Sequence, residues 1–175
     1  MVTVEIVPAG FPRDREAVAS LFDAYAKSLG IDLSFQSFAD ELSQLPGKYA
    51  ADKGGALMIA YIANEQPARI IGCVAVRAFP LPATCELKRL YVVPECRGIG
   101  AAQGLIESAM TRAKALGYRE MLLDTLPSME AARKLYVRYG FEGVDKYYDS
   151  PIEGTVFMRA MLAADPDSAA GTTFA

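Results

Sequence analysis

A charged strand that runs into a glycine-opened helix limits what this chain can become. Residues 85–106 read CELKRLYVVPECRGIGAAQGLI. Over residues 86–93, Tyr91, Val92 and Val93 favour a strand, yet Glu86, Lys88 and Arg89 interrupt it. A strand buried on both faces is normally a continuous apolar run; this one carries charge into the middle of the sheet. After Pro94 comes Arg97-Gly98-Ile99-Gly100-Ala101-Ala102, followed by Ile106, Ala109, Ala113 and Leu116 at helical spacing. Glycines that open a helix leave its first N–H groups bare, and the helix dipole adds partial positive charge there. Such a helix start is a seat for phosphate.

Composition removes several chemistries. The 175 residues contain no histidine, so a Ser-His-Asp or Cys-His nucleophile pair cannot form, nor a metal site that needs imidazole. Acid–base work falls to carboxylate, Tyr, Lys, Cys, the terminal amine or water. Cys73, Cys85 and Cys96 are odd in number and lack CxxC spacing, which argues against a disulfide framework or zinc site; no metal is implied. Cys96, beside the loop, reads as an inert thiol. A net charge of −3 gives no bulk electrostatic case for nucleic acid. The longest apolar run, residues 56–63, is too short for a bilayer, and residues 1–5 do not resemble a signal segment. The expectation is a cytoplasmic protein with neither nucleic-acid nor membrane partner.

Along the chain, residues 3–7 read as a strand ended by Pro8 and Gly10. Val18, Leu21, Phe22, Tyr25 and Leu29 lie on one face of a helix that Gly30 closes. A second helix is predicted over residues 34–45, with Phe35, Phe38, Leu42 and Leu45 as its stripe. Strands over 55–63 and 69–79 form a hairpin. After the central stretch come a strand over 120–124, a helix over 128–139 and strands over 141–148 and 155–162. The order β-α-α-β-β-β-α-β-α-β-β predicts an α/β protein: one domain over 1–163, a mixed sheet with helices on both faces. Residues 164–175 are small, polar and aperiodic, and predict a disordered tail.

Two motifs resemble those of the GNAT superfamily of N-acetyltransferases, and the likeness runs over roughly residues 1–162. Arg97-x-x-Gly100-x-Ala102 is similar to the Arg/Gln-x-x-Gly-x-Gly/Ala loop that holds the pyrophosphate of acetyl-CoA in that family. Ala132-x-x-Leu135-Tyr136-x-x-x-Gly140-Phe141 is similar to its second motif, whose tyrosine approaches the thioester sulfur. The resemblance implies the GNAT-like fold, with acetyl-CoA as cosubstrate. It seats the cofactor on backbone at Leu90, Tyr91 and Val92 and on Arg97, Gly98, Ile99, Gly100, Ala101, Ala102 and Gln103. The family's asparagine falls on Met129, which cannot make an amide's hydrogen bonds to the pantetheine arm. Arg133, Lys134 and Arg138 read equally as contacts to a 3′-phosphate and as a solvated face.

Acetyl transfer to an amine sets two proton problems. Freeing an amine of pKa about 10.4 at neutral pH costs about 4.6 kcal/mol, and the departing thiolate needs a donor. Glu86 is the expected base, and alternation places it on one strand face with Lys88, Leu90 and Val92. Tyr136 is the expected acid. The resemblance adds acceptor contacts at Phe35 and Tyr49, which otherwise read as core, and at Tyr148 in an aromatic mouth with Tyr147 and Pro151. The expected reaction is direct attack by a primary amine of a small molecule or peptide in a ternary complex. A non-catalytic acyl-CoA sensor or scaffold on the same fold is the alternative, and the family's habit of pairing through sheet edges extends the partners to a second copy. A dinucleotide loop at Gly98, Gly100 and Gly104 fits poorly, because the third glycine is one residue late and the preceding strand is charged.

Overall fold

The strand predicted over 55–63 becomes β2 (Ala56–Ile62), and both of its faces are covered. Met58, Ala60 and Ile62 point into one apolar layer, while Leu57 and Ile59 point into the other. The computed structural model describes residues 1–163; the tail expected over 164–175 lies outside the described residues. A seven-stranded sheet runs β1 (Val4–Pro8), β2, β3 (Arg69–Ala78), β4 (Thr84–Val92), β5 (Glu120–Thr125), β7 (Val156–Met161), β6 (Glu142–Val144). Every neighbouring pair is antiparallel except β4 with β5. This is the expected mixed sheet.

Helices lie on both faces, as their apolar stripes require. The helix α3 (Ala101–Ala115) turns Ala101, Leu105, Ile106, Ala109 and Ala113 onto one face of the sheet. Three alanines in that stripe bring it close, and a Cβ on Gly104 would meet Ile6 of β1 at 3.0 Å. Gly104 is therefore a packing residue, which leaves the dinucleotide reading without its third glycine. The helix α4 (Glu130–Arg138) joins the same layer through Ala132, Leu135 and Tyr136. On the opposite face, α1 (Arg15–Leu29) buries Val18, Leu21 and Phe22. Each such buried side chain is worth about 1.5–3 kcal/mol, so these two layers outweigh helix propensity.

Two expected elements are interrupted. The helix predicted over 34–45 is a 3₁₀ turn (Ser34–Gln36), a left-handed Ser37 with φ 54° and then α2 (Phe38–Ser43). Asp32 holds the turn by accepting from the Ser34 amide at 2.8 Å, and the break lets Gln36 and Glu41 both reach Arg89. The strand predicted over 141–148 pairs only as β6. Beyond Val144 the chain leaves the ladder, and Tyr147 and Tyr148 pack edge-on against Phe157 while their hydroxyls bond carboxylates of the central strands.

Candidate active site

The site begins where β4 and β5 part. They pair in parallel only at Thr84–Glu120, Cys85–Met121 and Glu86–Leu122. From Leu87 onward the β5-facing side of β4 has no strand partner among the described residues, which leaves an opening in mid-sheet. A bulge marks the same place: between Cys73–Tyr91 and Ala75–Lys88, the single residue Val74 lies opposite both Arg89 and Leu90. Arg89 takes φ 58°, a left-handed conformation that costs a non-glycine residue about 1–2 kcal/mol.

That extra residue corrects the expected strand face. Glu86 and Lys88 share a face, but Leu90 and Val92 do not join them; they pack in the α3 layer with Cys85 and Leu87. Tyr91 packs in the α1 layer. Alternation counted along the sequence carries no sign of a bulge, so its parity fails at Arg89.

At the mouth of the opening lies the start of α3. Gly98 and Gly100 have φ 81° and 89°, in open space, so it is their backbone conformation that requires glycine. No side chain caps this helix, which leaves the early amides, from Ala101 to Gln103, available to an anion. Ile99 is exposed beside them. Arg97 folds back, its Nε donating to the Val92 carbonyl at 3.0 Å and its guanidinium lying 5.7 Å from the Tyr91 ring centre. The side chain is otherwise exposed.

Inside the opening a small cavity of about 20 Å³ is lined by Tyr25, Lys88, Arg89, Asp124, Met129 and Tyr136, with Leu87, Leu90 and Thr125 completing it. Tyr136 is buried, its ring 5.7 Å from Phe141, and its hydroxyl has no hydrogen-bond partner among the described residues. Burial pushes that phenol well above its ordinary pKa, so it stays a neutral O–H donor. The Met129 sulfur accepts from the Thr125 hydroxyl at 3.7 Å.

On the far side of Lys88 a wider cleft of about 390 Å³ is lined by Phe35, Gln36, Ser37, Lys48, Arg77, Glu86, Lys88, Tyr148, Asp149 and Pro151. Glu86 is 1% exposed; its Oε1 accepts from Arg77 Nε at 2.7 Å, and its Oε2 from the Tyr147 hydroxyl at 2.6 Å. Lys88 lies 4.0 Å from Glu86 and 3.2 Å from Asp124. Asp124 also accepts from Tyr148 at 2.7 Å. Burial works against the Asp124 carboxylate, but Lys88 and that hydrogen bond outweigh it and hold its pKa below the usual range.

Comparison with known proteins supplies the family. The model of the acetyltransferase (GNAT) family matches residues 18–141. An uncharacterised N-acetyltransferase of Schizosaccharomyces pombe is 36% identical over 160 residues, spanning 91% of this chain and 96% of the relative. The chain belongs to the GNAT acetyltransferase family. The fold extends to distant members: a GNAT-family acetyltransferase from Staphylococcus aureus superposes with a TM-score of 0.75 at 17% identity, covering 92% of this chain and all of that one. A PaiA N-acetyltransferase from Thermoplasma acidophilum, solved with coenzyme A, gives 0.69 at 16% identity, over 91% and 99% of the two chains.

This GNAT acetyltransferase thus takes its acetyl group from acetyl-CoA, the family's donor. The residues present fit that cosubstrate: an uncapped helix start, an unpaired strand side beside it and an unpartnered phenol at the inner end of the opening. Of the expected acceptor contacts, Phe35 and Tyr148 line the cleft. Tyr49 does not. It is 2% exposed, packs edge-on to Phe22 at 5.9 Å, and donates its hydroxyl to Glu41 at 2.7 Å. Its place is in the α1 layer, which is the core reading.

Sequence reasoning missed a buried charge pair between Arg89 and Glu41. Arg89, 3% exposed, donates to Glu41 through Nε at 2.7 Å and a terminal nitrogen at 3.2 Å, and to Gln36 at 2.9 Å. Lys48 reaches the same carboxylate at 2.9 Å. Although burial opposes it, this company lowers Glu41 to a pKa of about 2. The pair ties α2 and the Ser34–Gln36 turn, one wall of the cleft, to the bulge of β4. A signal existed: Glu41 sits between Phe38 and Leu42 on the apolar stripe. The three thiols are free and buried; burial raises Cys85 to about 12 and Cys73 higher still.

Proposed function

We propose that this acetyltransferase moves an acetyl group from acetyl-CoA to a primary amine of a small molecule or peptide, by direct attack in a ternary complex. One observation carries the reading: Lys88 lines both the inner cavity and the wider cleft, so the two spaces adjoin, with Tyr136 on one side and Glu86 on the other. Acetyl-CoA supplies a thioester whose pantetheine arm follows the open side of Leu90, Tyr91 and Val92. Arg97 and the backbone from Gly98 to Gln103 hold the pyrophosphate.

The acceptor enters from the cleft. Glu86 takes the ammonium proton, directly or through one water, using the lone pair that Tyr147 leaves free on Oε2. Arg77 and Tyr147 fix the carboxylate's orientation. The Lys88 ammonium beside the amine disfavours a second positive charge and so favours the neutral nucleophile. Tyr136 then donates to the sulfur as the thiolate leaves. Three free thiols support a cytoplasmic setting; among the described residues no helix is long and apolar enough to cross a membrane.

The sensor reading has one observation in its favour, the Thr125–Met129 contact where the family's asparagine would stand. Release of free thiol from acetyl-CoA against a mixed panel of small amines and peptides separates the two. Turnover on one acceptor class, lowered in both Glu86→Gln and Tyr136→Phe, supports acetyl transfer. Tight acetyl-CoA binding with no turnover on any amine supports a sensor.

A further inference from the structure

The cleft wall carries more positive than negative charge. Lys48, Arg77 and Lys88 line it; together with Arg89 behind them they share three carboxylates, Glu86 in the wall and Glu41 and Asp124 behind it. Four cations against three anions leave an excess of one positive charge. Asp149 at the rim does not cancel it, since that side chain is 91% exposed and paired with Lys146. Nor is the excess spread evenly. Arg89 and Lys88 are buried at 1% and 8% of side-chain exposure, whereas Lys48 and Arg77 open to the cleft at 36% and 32%.

Both open cations keep donors in reserve. Lys48 gives one contact to Glu41. Arg77 spends Nε and one terminal nitrogen on Glu86, and its other terminal nitrogen has no partner among the described residues. Burial above all, with the charges of Arg77 and Arg89, depresses the Lys48 ammonium against the pull of Glu41. An anion bound there would relieve that repulsion. A polyamine would meet it head on.

Resting on the acetyl-transfer reading above, we propose that the acceptor is a free α-amino acid whose carboxylate is held by Lys48 and Arg77. The closeness of Arg77 to Glu86 sets the spacing: the anion seat adjoins the expected base at 2.7 Å, so amine and anion must be separated by few bonds. An α-amino acid meets that condition; a peptide, whose carboxylate lies far from its terminal amine, does not. The apolar wall of Phe35 and Pro151 beside the Tyr148 ring takes an apolar side chain. The cleft, about 390 Å³, is at the small end of ligand sites, which span roughly 300–1,000 Å³.

The test compares methionine, leucine and phenylalanine with their carboxamides, their decarboxylated amines and spermidine, all with acetyl-CoA. The amino acid should exceed its own carboxamide by about tenfold or more in kcat/KM. Lys48→Gln should shrink that acid-to-amide ratio about tenfold, chiefly through KM, and Lys48→Arg should restore most of it. Melting temperature and acetyl-CoA affinity separate this effect from misfolding. Equal or better use of amides, decarboxylated amines or spermidine overturns the anion seat while leaving acetyl transfer standing. So does a Lys48→Gln loss that is the same for acid and amide. If acetyl-CoA binds and no amine is acetylated, the acetyl-transfer reading itself fails. Titration of the coenzyme A complex with methionine and methioninamide then decides the seat by binding, and equal affinity for the two would overturn it.

Discussion

Replacing Glu41 by Gln tests whether the buried pair with Arg89 holds the cleft wall on the sheet. Lowering the Glu41 pKa from its ordinary 4.5 to about 2 corresponds to about 3 kcal/mol, at 1.36 kcal/mol for each pH unit. The folded value lies below the unfolded one, so on acidification the unfolded chain takes up the proton first. The contribution is complete above about pH 4.5 and disappears as pH falls toward about 2. At neutral pH the Gln variant also leaves the Arg89 guanidinium buried without its carboxylate, a change that typically costs about 3–5 kcal/mol.

Urea unfolding followed by far-ultraviolet circular dichroism, at steps from neutral to acid pH, reads this directly. Wild type should exceed Glu41→Gln by about 3 kcal/mol or more at neutral pH, and the two curves should converge as pH drops. Asp14 and Asp124 are also held below their usual range, so both proteins weaken in acid; only the difference between the curves belongs to Glu41. A constant deficit from neutral to acid pH would refute the reasoning, because it would mean that Glu41 titrates alike in folded and unfolded chains. The double replacement Glu41→Leu with Arg89→Met should cost less than the two single replacements summed, since it leaves neither charge stranded.

Three further perturbations address the chemistry. Tyr136→Phe should lower kcat by about tenfold to a hundredfold, with acetyl-CoA affinity little changed; an unaltered kcat would remove Tyr136 as the acid. Glu86→Gln should reduce kcat/KM by about a hundredfold. A variant that keeps the wild-type kcat/KM would shift the base to another group. Gly100→Ala adds a Cβ in open space at φ 89°, so its effect is backbone strain alone, about 1–2 kcal/mol. Calorimetry should show weaker acetyl-CoA binding, and full affinity would mean that the amides at the start of α3 do not hold the pyrophosphate.

What could be read from the sequence was what local backbone chemistry determines. Gly98 and Gly100 announced a bare helix start because few other residues adopt their conformation. The apolar spacing of residues 101–113 announced the face that α3 buries. What could not be read depends on pairing across the fold. The left-handed Ser37 and the early end of β6 follow from Gln36 and Glu41 meeting Arg89, and from Tyr147 and Tyr148 meeting Glu86 and Asp124. None of those partners is near in sequence.

The bulge at Arg89 joins these cases, because one residue's unfavourable backbone changes what every later residue on β4 faces. Glu86 and Lys88 are left toward the wider cleft, while Leu90 and Val92 turn into the α3 layer. Past Glu86, one side of the same strand is free of β5. A strain of about 1–2 kcal/mol is offset by a charge-assisted contact of Arg89 with Glu41, worth roughly 1.5–3 kcal/mol for each hydrogen bond to a charged group. The ion pair and the bulge thus depend on each other. A strand without the extra residue would run Leu90 and Val92 onto the cleft face behind Glu86 and Lys88, and would have no reason to hold a guanidinium under α2. The charges that break the apolar pattern of residues 86–89 belong to a strand built to bend there.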